Sequence, residues 1–347
     1  LSTKTDIRQL EKDALIQALI ELGESPFRGK QVYEWIWKKS AFSFEEMTSL
    51  SKSLREKLEA HFEIRPVRNH HVQVSKDGTI KIGFKTFDNQ DIEGVMIPSD
   101  ERMTACISSQ VGCSLSCAFC ATGFLKRERN LEAQEIYDQV VLLNKQALEH
   151  FHKPLTNIVY MGMGEPLLNY DNVVASIRLI NSHEGLGIGA KRITVSTSGI
   201  ARGIKRLAEE GLNINLALSL HAANNEKRHE IMDINKSNPI EELIPAMNYF
   251  FEKTGNRITF EYILFDKFND TLEDAKQLVE ICKKVHCFVN LIEYNKVDGV
   301  IYNKSKNEAR DQFFHYLREH GVNAVVRRSR GKDIDAACGQ LANKIKL

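Results

Sequence analysis

The run Cys113-Ser-Leu-Ser-Cys117-Ala-Phe-Cys120 sets three cysteines at C-x3-C-x2-C spacing, with Phe119 just before the last. Three thiolates this close along a chain can bind three irons of a cubane 4Fe–4S cluster and leave the fourth iron without a protein ligand. An open iron can chelate a small molecule and pass it an electron, so the motif is catalytic in character. A cluster that only carries electrons normally closes with a fourth cysteine. A structural zinc site is the main rival, but it calls for four ligands, usually as two pairs, and only one C-x2-C occurs here. Seven cysteines is an odd number, and no secretory leader is recognised, so a disulfide framework is not expected. Gly112, Ser114, Ser116 and Gly123 mark the segment as a loop, a poor setting for three inert core cysteines.

Other residues have types suited to a ligand site. Gly162-Met163-Gly164-Glu165-Pro166 offers backbone that a ligand can approach closely, with one carboxylate beside it; a tight turn accounts for the same residues. Ser196 and Ser219 could hydrogen-bond a carboxylate or a ribose, or cap a following helix. His221 could meet an adenine or a ribose, or be a satisfied structural histidine. Asn295 presents a donor and an acceptor, as an adenine edge or a ribose requires. Cys338 lies in Gly331-Lys-Asp-Ile-Asp-Ala-Ala-Cys338-Gly339-Gln340, where the glycines point to a mobile or tightly turned segment. An accessible thiol there is a candidate nucleophile. Cys106 precedes the cluster motif on a strand and can point inward. Cys282, in a helix, and Cys287, at a strand start, are read as inert packing.

These residues need elements to position them. Residues 1–66 read as a helical region: Ala14, Leu15, Ala18, Leu19 and Leu22 recur at helical spacing. Ser25-Pro26 breaks the pattern, which resumes over 31–39 with Val32, Trp35 and Ile36 on one face. A third helix is expected over 51–61, with Leu54 and Leu58 inward. Residues 67–98 change to period two and read as a short β-rich linker, with turns at Asp77-Gly78 and Asp88-Asn89. From 99 to 347, β-rich runs alternate with amphipathic helices. The runs are 104–108, 157–161, 192–197, 213–220, 257–264 and 287–292, with a seventh candidate at 323–327. Helices are expected around Ile136–Ala147 and over 270–285 and 307–320. Alternating βα units imply a parallel sheet with right-handed crossovers. Six units fit a partial barrel better than a closed eightfold one, with a doubly wound open sheet as the alternative. Each run ends in one of the polar or glycine-rich motifs above, or carries Glu261 and Tyr262, as a barrel active site requires.

Bulk composition is that of a folded soluble protein: 347 residues, 27% charged, 42% hydrophobic and a formal net charge of +1. No uncharged run approaches the length of a membrane span. A reducing, cytoplasmic setting is expected for the cysteines. A nucleic-acid partner is not announced by net charge and would need a local basic surface. Candidates are Lys126, Arg127 and Arg129; Arg327, Arg328, Arg330 and Lys332; and Arg28 and Lys30. A solvated face is the plainer reading of each.

The C-x3-C-x-Φ-C arrangement resembles the signature of radical S-adenosylmethionine (SAM) enzymes. Cys106-Ile-Ser-Ser-Gln-Val-Gly-Cys113, Met161-Gly-Met-Gly-Glu-Pro-Leu-Leu-Asn169, Ser219-Leu-His221 and Asp333-Ile-Asp-Ala-Ala-Cys-Gly-Gln-Leu341 together resemble the RlmN/Cfr family of radical SAM RNA methyltransferases. The resemblance spans nearly the whole chain. It implies a 4Fe–4S cluster on Cys113, Cys117 and Cys120, with SAM chelating the open iron. Gly164, Glu165, Ser196, Ser219, Leu220, His221 and Asn295 match SAM-binding positions. The family's route uses two SAM molecules. One methylates Cys338; the other yields a radical that takes hydrogen from the S-methyl group. The methylene radical joins an adenine, Glu93 serves as base, and Cys106 resolves the crosslink by forming a disulfide with Cys338. Without the resemblance Glu93 reads as a solvated strand residue. Pro166 sides with the members that methylate C2 of an adenosine in 23S ribosomal RNA and a transfer RNA anticodon loop. Members methylating C8 carry alanine there. The resemblance further implies an electron donor such as flavodoxin or ferredoxin, a monomer, and an N-terminal accessory domain that helps hold RNA. Trp35 and Trp37 lie there among Arg28, Lys30, Lys38 and Lys39, with Trp35 read as core.

Overall fold

The computed structural model describes residues 4–342. It opens on β1 (Thr5–Asp6), followed by helices α1 (Lys12–Glu21), α2 (Pro26–Trp37) and α3 (Lys52–His61), then β2 (Phe62–Glu63). The two short strands pair in parallel and close the helical region on itself. Leu15, Leu19, Val32, Ile36, Leu54 and Leu58 are buried between the helices. Ser51 caps α3, its hydroxyl accepting the Leu54 N–H at 3.2 Å.

Two local expectations are corrected here. Ser25-Pro26 does separate two helices, α1 ending at Glu21, but the second begins at Pro26 itself and not near residue 31. Proline at the first helical position loses no hydrogen bond, because that N–H has no partner in the helix anyway. The longer helix also changes which tryptophan is core. Trp37 is 3% exposed and meets Tyr137 edge-on, ring centroids 5.1 Å apart. Trp35 is only half-buried; its indole N–H donates to Ser49 Oγ and Lys39 Nζ sits 4.0 Å from its ring centre.

Residues 67–98 form strands β3 (Arg68–Val74), β4 (Ile80–Lys85) and β5 (Asp91–Pro98). They are antiparallel, and β5 pairs with β6 (Met103–Cys106), so this segment is hydrogen-bonded into the main sheet. The loop after β6 contains the short pair β7 (Gln110–Val111) and β8 (Arg129–Asn130). The chain continues as α4 (Ala133–Phe151), β9 (Asn157–Tyr160), α5 (Tyr170–Asn181), β10 (Ile193–Thr197), α6 (Ala201–Ala208) and β11 (Asn215–Ser219). It ends with α7 (Asn225–Ile231), α8 (Ile240–Thr254), β12 (Ile258–Leu264), α9 (Leu272–Cys282), β13 (Phe288–Glu293), α10 (Asn307–Glu319) and β14 (Ala324–Arg327).

The main sheet has the order β14-β13-β12-β11-β10-β9-β6-β5-β4-β3. From β6 to β14 every neighbouring pair is parallel and follows chain order. A doubly wound sheet reverses its strand order at a central switch point; no reversal occurs here, which leaves the six-crossover partial barrel. All seven residues of β12 are buried, as expected of a central strand covered on both faces. The expected runs agree with the strands to within a residue or two at each end. The N-terminal region is tied to the barrel through Arg8, which pairs with Asp6 at 3.0 Å and with Asp138 of α4 at 2.8 Å, all three buried.

Candidate active site

The C-terminal ends of successive parallel strands converge, and the motif residues come together there. The Cys113–Cys120 loop leaves β7 through Gly112. Its φ is +73°, and a side chain there would drive a carbon to 2.1 Å from the Lys126 carbonyl oxygen, so only glycine fits. Within the loop the Cys120 N–H donates to the Cys117 carbonyl at 3.1 Å, and the Gly123 N–H to the Cys120 carbonyl at 2.9 Å. These tight turns hold the three side chains against one cavity, which Cys113, Cys117 and Cys120 all line. Burial pushes the Cys113 thiol up to about 11 and also raises Cys117 and Cys120. Such thiols ionise readily only against a strong cation. Among the described residues no three Cys, His, Asp or Glu side chains converge on a single metal ion. A cubane asks for something else, since its three thiolates bind three separate irons. A donor set of thiols alone, grouped on one cavity wall, fits such a cluster.

The other wall of this cluster-side cavity is built from the strand ends. Gly164, Glu165, Ser196, Ser219 and His221 all line it. Gly164 has φ +95°, and a side chain there would meet Gln110 at 2.5 Å. Gln110 in turn accepts the Glu165 N–H at 2.9 Å, so the glycine exit is anchored to the cluster loop. Glu165 is 2% exposed. Burial raises its carboxyl, while N–H donors from Ser198 at 2.7 Å and Leu167 at 3.0 Å pull the other way. His221 is held in the left-handed region, φ +55°. Its Nδ1 accepts the Ile263 N–H at 3.2 Å, which leaves the proton on Nε2 in the neutral ring. Burial, with nearby Arg228, pulls the imidazole down to about 3. The ring also stands edge-on to Phe119, centroids 4.9 Å apart, and so supports the cluster loop as well as lining the cavity.

A second cavity adjoins the first. Cys106 and Cys338 both line it, and Cys120, Met161, Gly162, Ile292, Arg327 and Cys338 belong to both. Cys338 thus stands at the junction of the cluster-side and thiol cavities. All seven cysteines are free, so the Cys106–Cys338 disulfide is not formed in this structure. Burial, reinforced by Cys338, pushes the Cys106 thiol up to about 12, which keeps it protonated at rest. The arm carrying Cys338 is fastened on several sides. The Ala121 N–H donates to the Gly339 carbonyl at 2.7 Å, and Thr122 Oγ1 to the Leu341 carbonyl at 2.6 Å. The Asn295 amide reaches Ser329 Oγ at 3.0 Å and the Cys338 carbonyl at 3.5 Å.

Three expected site residues stand apart from the cavity walls. Leu220 is a core residue, its N–H on the Glu261 carbonyl. Asn295 braces the Cys338 arm. Glu93 is 4% exposed, which overturns its reading as a solvated residue. It lies on the same face of β5 as Val95 and Ile97 of the thiol cavity, yet lines a separate polar cavity. Its Oε2 accepts the Ala342 N–H at 2.9 Å, so Glu93 is in contact with the arm that carries Cys338.

Sequence reasoning missed Arg228 and misplaced Arg327. Arg228 is fully buried and donates to the carbonyls of Ser198, Ser219 and Leu220 and to Asn235 Oδ1, stitching the ends of β10 and β11. No local pattern marks it; its partners lie up to 30 residues away. Arg327, read as a surface cation, turns into both cavities. Cys338 above all, with Glu261 and Cys106, holds its charge up against burial. Among the described residues Glu261 Oε2 is buried without a hydrogen-bond partner, Arg327 Nη1 lying 3.9 Å away. Of the other surface cations, Arg129 is engaged by Asp88 and Glu135, and Lys332 by Glu293.

Comparison with known proteins agrees with this architecture. Residues 107–281 match the radical SAM superfamily, and residues 5–64 match the ribosomal RNA large subunit methyltransferase N-terminal domain. A probable dual-specificity RNA methyltransferase RlmN from Cytophaga hutchinsonii is 54% identical over 98% of this chain and 93% of its own length. One from Christiangramia forsetii is 52% identical over 98% and 97%. The crystal structure of a radical SAM methyltransferase from Sphaerobacter thermophilus superposes with a TM-score of 0.93 at 40% identity, covering 98% of this chain and 100% of that one. With both of its regions matched and half of its residues shared with full-length relatives, this chain belongs to the RlmN family of RNA methyltransferases in the radical SAM superfamily.

Proposed function

We propose that this chain methylates C2 of an adenosine in 23S ribosomal RNA, and of an adenosine in a transfer RNA anticodon loop, with the methyl carbon carried on Cys338. The observation that carries the reading is the position of Cys338, which shares one cavity with Cys106 and another with Cys113, Cys117 and Cys120. Pro166, beside Glu165 on the cavity wall, favours C2 over C8.

In this reading Cys113, Cys117 and Cys120 hold a 4Fe–4S cluster. Gly164, Glu165, Ser196, Ser219 and His221 surround SAM, with Leu220 and Asn295 supporting them. When bound, the two supply a carbon-centred radical able to take hydrogen from a methyl group. The protein's own residues do the rest. Cys338 Sγ carries the methyl group and, after hydrogen loss, is joined through that carbon to C2 of the adenine. Glu93 takes the C2 proton, once incoming RNA has displaced the Ala342 N–H that now occupies its Oε2. The adduct's unpaired electron passes to the electron carrier; Cys106 Sγ then attacks Cys338 Sγ, the S–S bond forms, the S–C bond breaks, the proton given up by Cys106 goes to the released carbon, and the methylated base leaves. Burial of Cys106 as a neutral thiol delays that attack until the adduct exists. A flavodoxin or ferredoxin supplies electrons, and two electrons with two protons return the Cys106–Cys338 disulfide to two thiols before the next cycle. A monomer in the cytoplasm suits the RNA substrates, and no helix among the described residues is long and apolar enough to cross a membrane.

The test is anaerobic. The reconstituted enzyme is given reductant, SAM labelled with three methyl deuteriums, and an unmodified ribosomal RNA fragment, and the nucleosides are analysed by mass spectrometry. 2-Methyladenosine retaining two of those deuteriums is expected. 8-Methyladenosine would refute the C2 assignment, and SAM cleavage without RNA methylation would refute the substrate.

A further inference from the structure

Lys81 is a buried cation that none of the chemistry above uses. It sits on β4 opposite Val95 of β5 and is 4% exposed, a rare state for lysine unless it is paired. Its Nζ lies 3.4 Å from Glu93 Oε1 and 3.5 Å from the Asp335 carbonyl oxygen. The Ala342 N–H occupies the other Glu93 oxygen at 2.9 Å. The carboxylate is therefore fixed in its plane by two donors on different oxygens. One donor belongs to the sheet and the other to the arm that carries Cys338. The polar cavity that Lys81 and Glu93 share also receives Lys296, Asp298 and Asp335.

We infer that Lys81 is a positioning residue of the methyl transfer, holding Glu93 oriented as the base and tying it to the Cys338 arm. The inference rests on the reading of Glu93 as the base. A base must lie within hydrogen-bond reach of the proton it takes, and a carboxylate held by one donor alone is free to turn out of that plane. An apolar pair would fill the same space without the desolvation cost that two buried charges carry, so stability alone gives no account of Lys81. Its second bond, to the carbonyl three residues before Cys338, places one cation between base and nucleophile arm. Lys81 makes and breaks no covalent bond in this role.

The experiment compares Lys81→Met, Lys81→Arg and Glu93→Gln in the full-length enzyme. Glu93→Gln is expected to stall with a covalent protein–RNA adduct visible on denaturing gels. Lys81→Met is expected to slow methylation at least tenfold, accumulate the same adduct and leave the KM for RNA unchanged. Lys81→Arg, which keeps the charge, restores most of the rate. In protein without cluster or SAM, amide exchange over 331–342 speeds up in Lys81→Met and not in Lys81→Arg. Should Lys81→Met fail to fold, Lys81→Gln takes its place. Full turnover in the neutral variant, or slow turnover without adduct, overturns the role of Lys81. Normal turnover in Glu93→Gln overturns the base assignment itself, whatever Lys81 does.

Discussion

Arg228 is the buried group on which most of the cavity wall hangs, and replacing it with methionine should be costly. Its guanidinium donates to Ser198 O at 2.5 Å, Asn235 Oδ1 at 2.8 Å, Leu220 O at 3.2 Å and Ser219 O at 3.3 Å. Among the described residues it forms no ion pair, and burial pulls it down to about 10. Hydrogen bonds to a charged group contribute roughly 1.5–3 kcal/mol each, but desolvating the cation offsets several kcal/mol of that sum. Methionine fills much of the volume but removes all four bonds, and the Leu220 carbonyl alone keeps another donor, the Ala222 N–H at 2.7 Å, so the net loss is about 3–5 kcal/mol. That is roughly a third to a half of a stability of about 10 kcal/mol, within the usual range for a folded domain. Urea unfolding of the cluster-free protein, read by linear extrapolation, measures it. Because Ser198 and Ser219 line the cluster-side cavity, SAM affinity should fall at least tenfold in the same variant. A loss under about 1 kcal/mol with unchanged SAM binding would refute the view that this cation organises the strand ends.

Two further outcomes follow from contacts remote from the chemistry. Arg8→Ala leaves the Asp6 and Asp138 carboxylates buried without their cation and should cost about 3–5 kcal/mol; limited proteolysis should then cut first near residues 4–64. Asp77 accepts the Gly331 N–H at 2.9 Å. Burial opposes its charge, but the Gly331 and Thr79 donors prevail and lower its carboxyl to about 2. Its folded value lies below the unfolded one, so its contribution is full above about pH 4 and is lost as pH falls through about 2. The melting-temperature gap between wild type and Asp77→Asn should close over that window, and a gap constant from pH 5 to 2 would refute the role.

Much of this protein is written locally. Cys113, Cys117 and Cys120 fall within eight residues, so their grouping follows from chain geometry almost regardless of what surrounds them. The six βα units are visible because hydrophobic periodicity changes with each element, and their chain-order pairing follows from the short right-handed crossovers between them. Glu165, Ser196, Ser219 and His221 could be placed in one site beforehand, since parallel strands of a barrel bring all their C-terminal ends to one face. Other properties depend on which distant groups meet. Glu93 meets the Ala342 N–H of an arm 249 residues later in the chain, and its contact with Lys81 depends on the register of β4 against β5. Arg228 acquires its role from carbonyls on two strand ends that only folding brings within reach. Arg327 and Arg129, alike in sequence as surface cations, part company once one turns into the cavities and the other meets Asp88 and Glu135. Trp35 and Trp37 exchange core and surface because α2 starts at Pro26 and packs against Tyr137. Spacing along a chain can gather ligands and order strands; burial and charge pairing are set by long-range contacts, and those exist only in the folded molecule.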